Sequence, residues 1–303
     1  MINIERGNIY HGKLPRGCEL CLLGLKSVIF ITGLCNVKCF YCPVSRDRKG
    51  RDVIYINDVN ANLITILEEI ENSLSRGVAI TGGEPSLVDD RLCELCRFLK
   101  REYGEDFHIH IYTNPISWSR HFLMKICQIP IDELRLHITC REALHKVLIN
   151  IKYLRDTTFD IGVEVPVFPG WEENIVNVVE DLYHRDIISF VNLNEVDIND
   201  SNVDNIINRG YEVDYRGFLR GSYESCIKVL NILSRKFRDL NIHVCTSTVK
   251  DSIQVRLRMY TRSIVYASSN QYVQEDGTVI RYVDGRVVRE VLIGRSFKIF
   301  EII

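Results

Sequence analysis

The sequence predicts an α/β protein of six βα units followed by an antiparallel β extension, and three observations predict it. Short apolar runs alternate with amphipathic stretches from residue 26 to about 247, as βα units around a parallel sheet do. The length, 303 residues, suits one α/β barrel or two ordinary domains. From about residue 262 the texture changes to alternating Val/Ile/Tyr-rich runs punctuated by Asp276-Gly277 and Asp284-Gly285, which reads as an antiparallel meander. Strands are expected at 26–32, 78–82, 107–113, 134–139, 160–167 and 189–196, with a seventh at 241–247. Helices are expected near 58–75, 88–102, 117–127, 141–154, 171–185 and 221–239. A complete barrel, a partial barrel and a doubly wound sheet share this pattern.

Composition narrows the function classes. The chain is 46% apolar and 26% charged with mean hydropathy −0.03, a globular balance that excludes bulk disorder. Lys plus Arg number 38 against 40 for Asp plus Glu, a net charge of −2, so no global basic field demands nucleic acid. The opening Met-Ile-Asn-Ile-Glu-Arg lacks the basic then apolar order of a signal peptide. The most apolar window, 20–37, is interrupted by Lys26, Ser27, Thr32 and Asn36, too polar for a bilayer span. The expectation is a cytoplasmic protein. Eleven cysteines cannot all pair, and five of them fall between residues 18 and 42. That concentration suggests metal ligation more than scattered core packing.

Cys35-Asn-Val-Lys-Cys39-Phe-Tyr-Cys42 leaves the C-terminal end of the first expected strand, where α/β barrels keep their chemistry. Three thiolates in eight residues can wrap one small inorganic cluster. A cubane [4Fe–4S] cluster takes four ligands, so three cysteines leave one iron open, and an open position marks a reactive site. The alternative is a zinc site completed by a remote residue.

Cys-x3-Cys-x2-Cys with aromatic Tyr41 before the last cysteine, followed by Gly82-Gly83-Glu84-Pro85 at the end of strand two, resembles the radical SAM superfamily. The resemblance runs over roughly residues 26–200 and implies a partial (β/α)6, TIM-like barrel. Gly17-Cys-Glu-Leu-Cys21, Thr32-Gly-Leu-Cys35, Leu193-Asn-Glu195 and His243-Val-Cys-Thr-Ser247 look similar to uncharacterised archaeal and bacterial proteins related to the pyruvate formate-lyase-activating enzyme. The resemblance implies that Cys35, Cys39 and Cys42 hold three irons while S-adenosylmethionine chelates the fourth. It implies that Gly82 and Gly83 let backbone approach that ligand and that Glu84 accepts from its ammonium group. Tyr41 would lie near the adenine, Asn114 near the polar methionine end, and Glu195 is a weaker cofactor-binding candidate. One electron, from a reductant such as ferredoxin or flavodoxin, would then yield a 5′-deoxyadenosyl radical that abstracts hydrogen from an unknown substrate.

Strands of a doubly covered parallel sheet should be nearly continuous apolar runs. Several here alternate. His108, His110, Tyr112 and Asn114 share one face of strand three; Arg135, His137 and Thr139 alternate with Leu134, Leu136 and Ile138; Glu164 lies between Val163 and Val165; strand six offers Asn192 and Asn194. With period two each polar set shares a face, which predicts a polar lumen with His110, Tyr112, His137 and Glu164 pointing inward. His137 and Glu164 are the catalytic candidates. For each histidine singly, a hydrogen-bonded core residue is the plainer reading.

Cys18-Glu-Leu-Cys21, bounded by Pro15, Gly17 and Gly24, looks like a metal knuckle in a loop. Cys245 is the first choice to complete it, then His243, His11 and Cys226, around a second iron–sulfur cluster or a zinc ion; an unmetallated pair is the alternative. Cys93 and Cys96 stand i, i+3 in an amphipathic helix and read as core, and Cys127 and Cys140 read as structural. Basic stretches at 250–262 and at Arg46, Arg48, Lys49 and Arg51 could contact RNA phosphate or an anionic substrate, though charged faces are usually only solvated. The expected division is 1–25 with the CxxC loop, 26–247 the barrel with a flanking helix and strand, and 248–303 the basic stretch and β meander. Glycyl-radical activation, tRNA modification and small-metabolite chemistry stay open as activities. A non-catalytic iron–sulfur or zinc protein is the alternative of another class, and the intact Gly82-Gly83-Glu84 counts against it.

Overall fold

The computed structural model describes residues 2–5, 8–155, 157–215, 217–293 and 296–302; Met1 and Arg6 of the opening hexapeptide lie outside them. The chain starts with a hairpin, β1 (Ile2–Glu5) and β2 (Asn8–His11), then α1 (Arg16–Leu22) and β3 (Ser27–Phe30). A small hairpin, β4 (Tyr55–Ile56) and β5 (Val59–Asn60), precedes α2 (Leu63–Asn72) and β6 (Gly77–Thr81). The βα alternation continues through α3 (Asp89–Tyr103), β7 (His108–Thr113), α4 (Arg120–Ile126), β8 (Glu133–Leu136), α5 (Arg141–Ile149) and α6 (Ile151–Leu154). It ends with β9 (Asp160–Pro166), α7 (Glu172–Tyr183), β10 (Phe190–Asn194), α8 (Val203–Ile207), α9 (Ser222–Lys236) and β11 (Asn241–Cys245). After α10 (Ser247–Val249) a π-helical segment leads into α11 (Arg256–Tyr266) and a separate antiparallel sheet. Its strands are β12 (Tyr272–Val273), β13 (Val279–Val283), β14 (Arg286–Ile293) and β15 (Ser296–Ile302).

One eleven-stranded sheet carries the barrel, in the order β1-β2-β11-β10-β9-β8-β7-β6-β3-β4-β5. The seven strands from β3 to β11 along that order pair in parallel, and the edge hairpins join antiparallel at β11 and β3. The fold is therefore a partial, TIM-like α/β barrel with an antiparallel C-terminal extension.

Three local expectations need correcting. The helix expected from 58 starts at 63, because Asn57 and Asp58 take left-handed φ of 46° and 72° and turn a hairpin instead; Asn62 then caps α2 by accepting from Thr65 N. The Cys18–Cys21 segment is not a loop but helix α1. The basic stretch 250–262 is helical, and two of its four cations are paired with carboxylates. Lys250 Nζ lies 2.9 Å from Asp197 Oδ2, and buried Arg262 pairs with buried Glu69 at 3.1 Å.

The period-two pattern sorts the sheet's faces as the sequence predicts. Ile109, Ile111, Leu134, Leu136, Val163 and Val165 join the core with Leu92, Leu99, Phe122 and Val179 from the covering helices. The alternate residues fill the lumen. Near the N-terminal strand ends they form a closed polar floor: Lys26 Nζ lies 2.6 Å from His108 Nδ1 and His108 Nε2 3.0 Å from Glu133 Oε1. Arg135 Nε donates to Glu133 Oε2 at 2.9 Å and Nη1 to Glu164 Oε2 at 2.7 Å. Helix α1 packs on this floor, with Gly17 N donating to Glu133 Oε1 at 2.7 Å. A Cβ at Gly17 would stand 2.4 Å from His110 Nδ1 and 2.6 Å from Arg135 Nη2, so only glycine lets the helix approach. Burial pushes the Glu133 carboxyl up, yet Arg135 and His108 hold it well below its ordinary range. Burial, with nearby Arg135 adding to it, depresses Lys26 to about 8, and burial with Arg135 and Lys250 depresses His243 to about 3.

Candidate functional site

The loop that follows β3 is tied at its base. Gly33 N donates to Arg51 O and Gly50 N to Gly33 O, each at 2.8 Å. Thr32 Oγ1 donates to Asp52 Oδ1 at 2.9 Å, and Arg91 grips Asp52 bidentately at 2.7 and 2.8 Å. Arg91 and Thr32 outweigh partial burial and hold Asp52 at about 2. Residues 34–49 therefore form a pinned excursion without regular secondary structure. Cys35 is exposed and Cys39 and Cys42 half-buried, and all three face one cavity of about 610 Å³. Burial pushes the Cys35 and Cys39 thiols up, so a bound cation is what would hold them as thiolates.

The opposite wall comes from the turn after β6. Gly83 N donates to Thr32 O at 2.6 Å and Glu84 N to Leu34 O at 2.8 Å, which lays this turn along the start of the cysteine loop. A Cβ on Gly82 would meet Thr32 O at 2.4 Å, and one on Gly83 would meet Leu34 O at 2.2 Å. The glycines line the cavity, but the contact that demands them here is backbone against backbone. Glu84 is buried. Its carboxylate accepts from Thr113 Oγ1 at 2.6 Å, Asn114 N at 2.8 Å and Ser86 N at 3.0 Å. Burial pushes its carboxyl up while these bonds pull it down, and burial wins. Asn114 lines the cavity beside it and caps the next turn, accepting from Ile116 N at 3.0 Å.

The remaining inward candidates divide by depth. Tyr112, His137, Glu164 and Glu195 line the cavity. His110 points inward as expected but is fully buried, 3.2 Å from Tyr112 OH, and does not line the cavity. Tyr41 OH is 2.9 Å from His137 Nε2 and 3.2 Å from Thr139 Oγ1, with its ring among Phe40, Phe168 and Trp171. Burial depresses His137 to about 4, so its ring is neutral at pH 7. Glu164 accepts from Arg135 and from Asn194 Nδ2 at 2.9 Å, a fixed anion at the cavity floor. Glu195 accepts from Ser247 N at 2.8 Å. Of the basic residues that follow the cysteine loop, Arg48 lines the cavity. Its guanidinium lies 3.9 Å from the Tyr55 ring centroid and 3.3 Å from Asp58.

The second cysteine group is placed differently. Buried Cys18 sits with Sγ 3.5 Å from Arg135 Nη2 and 3.8 Å from Asn192 Oδ1. Cys245 Sγ, also buried, is 3.8 Å from Gln254 Nε2. His243 bonds Asn192 at 2.6 Å, His11 lies 3.0 Å from Arg238 O, and Cys226 is core. Among the described residues the group of three metal-binding side chains with ligand atoms all within 4.8 Å is Asp89, Asp90 and His121; neither Cys18, Cys21 and Cys245 nor Cys35, Cys39 and Cys42 are drawn that close together. Lys125 already bridges both aspartates. The donor set of the upper cavity, three sulfurs on irregular backbone, suits an iron–sulfur cluster. Among the described residues no helix is long and apolar enough to cross a membrane.

Comparison with known proteins adds three findings. A family model described as the radical SAM superfamily matches residues 29–182. A Methanocaldococcus jannaschii protein, named as a candidate glycyl-radical enzyme activating enzyme, is 37% identical over 287 residues, covering 89% of this chain and 73% of its own. Two crystal structures of Streptococcus suis SuiB, one bound to S-adenosylmethionine, align over 74% of this chain at 15% and 14% identity, each with a TM-score of 0.47. This chain spans about half the length of SuiB, 50% and 49% of the two chains.

Proposed function

The chain belongs to the radical SAM superfamily, and on that premise we propose that this enzyme reductively cleaves S-adenosylmethionine and activates a glycyl-radical enzyme. The observation that supports the chemistry most is that Cys35, Cys39, Cys42 and the Gly82-Gly83-Glu84 turn border one cavity, although they lie far apart in sequence. Its volume of about 610 Å³ falls within the usual range for a cofactor-sized ligand. The choice of a glycyl-radical protein as target rests on the name of the relative from Methanocaldococcus jannaschii.

In this reading Cys35, Cys39 and Cys42 hold a [4Fe–4S] cluster. When bound, cluster and S-adenosylmethionine supply the electron and the S–C5′ bond whose cleavage gives a 5′-deoxyadenosyl radical. Glu84 braces the turn through three accepted bonds and keeps acceptor capacity for an ammonium group, whose charge would offset the burial that raises its carboxyl. Asn114 and Glu195 supply further polar wall. Neutral His137 holds the Tyr41 hydroxyl and so shapes the side of the cavity rather than moving a proton. Glu164, fixed by Arg135 and Asn194, offers a stationary acceptor to the substrate. A reductant such as ferredoxin or flavodoxin delivers the electron, and the eleven free cysteines suit the cytoplasm. RNA as substrate loses support, because Lys250 and Arg262 are committed to Asp197 and Glu69.

The test is anaerobic reconstitution with iron and sulfide, reduction, and chromatography of the products. Wild-type protein should convert S-adenosylmethionine to 5′-deoxyadenosine and methionine, and Cys35→Ala, Cys39→Ala or Cys42→Ala should abolish this. Undiminished cleavage by the triple variant would sink the assignment. Incubation with a glycyl-radical protein encoded nearby should yield a protein radical by electron paramagnetic resonance; failure with functional cleavage would restrict the error to the target.

A further inference from the structure

We propose that the connection after β10 is a clasp that holds the cysteine loop in shape for ligation, with Asn199 and Asn202 as its positioning residues. The inference rests on Cys39 and Cys42 being cluster ligands, and it concerns what fixes them. Asn202 is fully buried, and its Nδ2 donates to Tyr41 O at 3.0 Å and to Asp197 O at 2.8 Å. Asn199 Nδ2 donates to Pro43 O at 2.9 Å. The two side chains thus bind the carbonyls on either side of Cys42. The two residues are also joined, the Asn199 backbone N donating to Asn202 Oδ1 at 2.9 Å.

The same connection grips the loop a second way. Phe40, between Cys39 and Tyr41, stacks on Tyr211 with ring planes 5° apart and centroids 6.2 Å apart. The Arg209 guanidinium lies 4.2 Å from the Phe40 centroid, and Phe168 closes the other side at 5.2 Å. Within the loop itself the backbone contributes little: Cys42 N to Cys39 O at 3.3 Å is the bond between two of the cysteines. Irregular backbone has to be ordered from outside if its side chains are to meet a ligand without a large entropy cost. The clasp is in turn anchored, since Lys250 Nζ pairs with Asp197 and Ser222 Oγ accepts from Val196 N at 3.1 Å. Anchored clasp, bracketed carbonyls and seated Phe40 leave the thiols of Cys39 and Cys42 facing the cavity.

The test uses the full chain and two variants, Asn202→Ala and Asn199→Ala; Asn199 is exposed, so its truncation opens no buried void. In metal-free protein, iodoacetamide labelling with peptide mass spectrometry reads Cys42 against exposed Cys127. Both variants should label Cys42 severalfold faster with the Cys127 rate unchanged. After anaerobic reconstitution they should load iron, release it severalfold faster to a chelator, and show an altered paramagnetic resonance line shape on reduction. Wild-type labelling rates, release rates and spectra in both variants would overturn the clasp. If wild-type protein binds no iron, the cluster reading fails instead and the labelling comparison alone decides the clasp. Should Asn202→Ala fail to fold, Asn199→Ala decides in the same way.

Discussion

At the C-terminal ends of the barrel strands, Cys35, Cys39 and Cys42 sit on irregular backbone beside a cavity. At the N-terminal ends, Cys18 and Cys21 sit one turn apart on α1, with Cys18 held against Arg135 and Asn192. Both groups are close-spaced cysteines from the first 42 residues. What separates them is the backbone that carries them and the groups that meet them. A loop can turn three thiols toward one volume, whereas a packed helix fixes its pair against whatever lies beneath. Beneath α1 lies a network whose members satisfy one another, from Lys26 through His108, Glu133 and Arg135 to Glu164. Polar residues at the floor hold the barrel shut, and those at the mouth are left with capacity for a ligand.

Arg135→Ala would test the floor most severely. It leaves Glu133 and Glu164 buried without their cation, and urea unfolding should lose about 3–5 kcal/mol. At the mouth, Arg48→Ala removes a half-buried guanidinium from exposed Asp58 and from the Tyr55 ring, and should cost only about 1–2 kcal/mol. Equal losses would erase the distinction between the two ends. Leu136→Ala, in the core beneath the helices, should cost about 2–5 kcal/mol. Its neighbour His137→Ala should leave stability within about 1 kcal/mol, because the ring borders the open cavity, while slowing cleavage of S-adenosylmethionine. The reverse order in the two assays would overturn the inside–outside assignment.

Acid should sharpen the same contrast. His243 is fully buried and its pKa is lowered to about 3. Below an ordinary histidine value the unfolded chain therefore binds more protons than the folded one, and stability falls as pH drops from about 6.5 toward 3. Between pH 7 and pH 5 the loss from this group should be about 2 kcal/mol, read as a lower urea midpoint that His243→Asn makes less pH-dependent. A midpoint indifferent to pH would contradict the buried neutral ring. Gly17→Ala is the smallest change, one methyl group driven into His110 and Arg135, and should cost about 1–3 kcal/mol by overpacking. No loss would mean that α1 does not seat tightly on the floor.

Much of this was legible because period two is a strong signal where one face meets helices and the other a polar lumen. It separated Ile109 from His110 and Leu136 from His137. The motif cysteines and Gly82-Gly83-Glu84 were legible as a cavity wall because both follow strands at the same end of a parallel sheet. Helix α1 was hidden: Pro15, Gly17 and Gly24 read locally as loop, and only the close approach of Gly17 to the His110 and Arg135 side chains explains a glycine inside a helix. The reason for Gly82 and Gly83 was hidden too, since it depends on the carbonyls of Thr32 and Leu34 some fifty residues earlier. Asn199 and Asn202 look like any polar loop residues, because a side chain that braces a distant backbone leaves no pattern in its own neighbourhood.

The most direct measurement of the difference between the two cysteine groups is iron per chain after anaerobic reconstitution of three proteins. Wild type and the Cys18→Ser/Cys21→Ser variant should each hold about four irons, with the same spectral change on adding S-adenosylmethionine, and the Cys35→Ala/Cys39→Ala/Cys42→Ala variant should hold none. Loss of a further cluster's iron from the Cys18→Ser/Cys21→Ser variant, or full iron in the triple variant, would contradict the account.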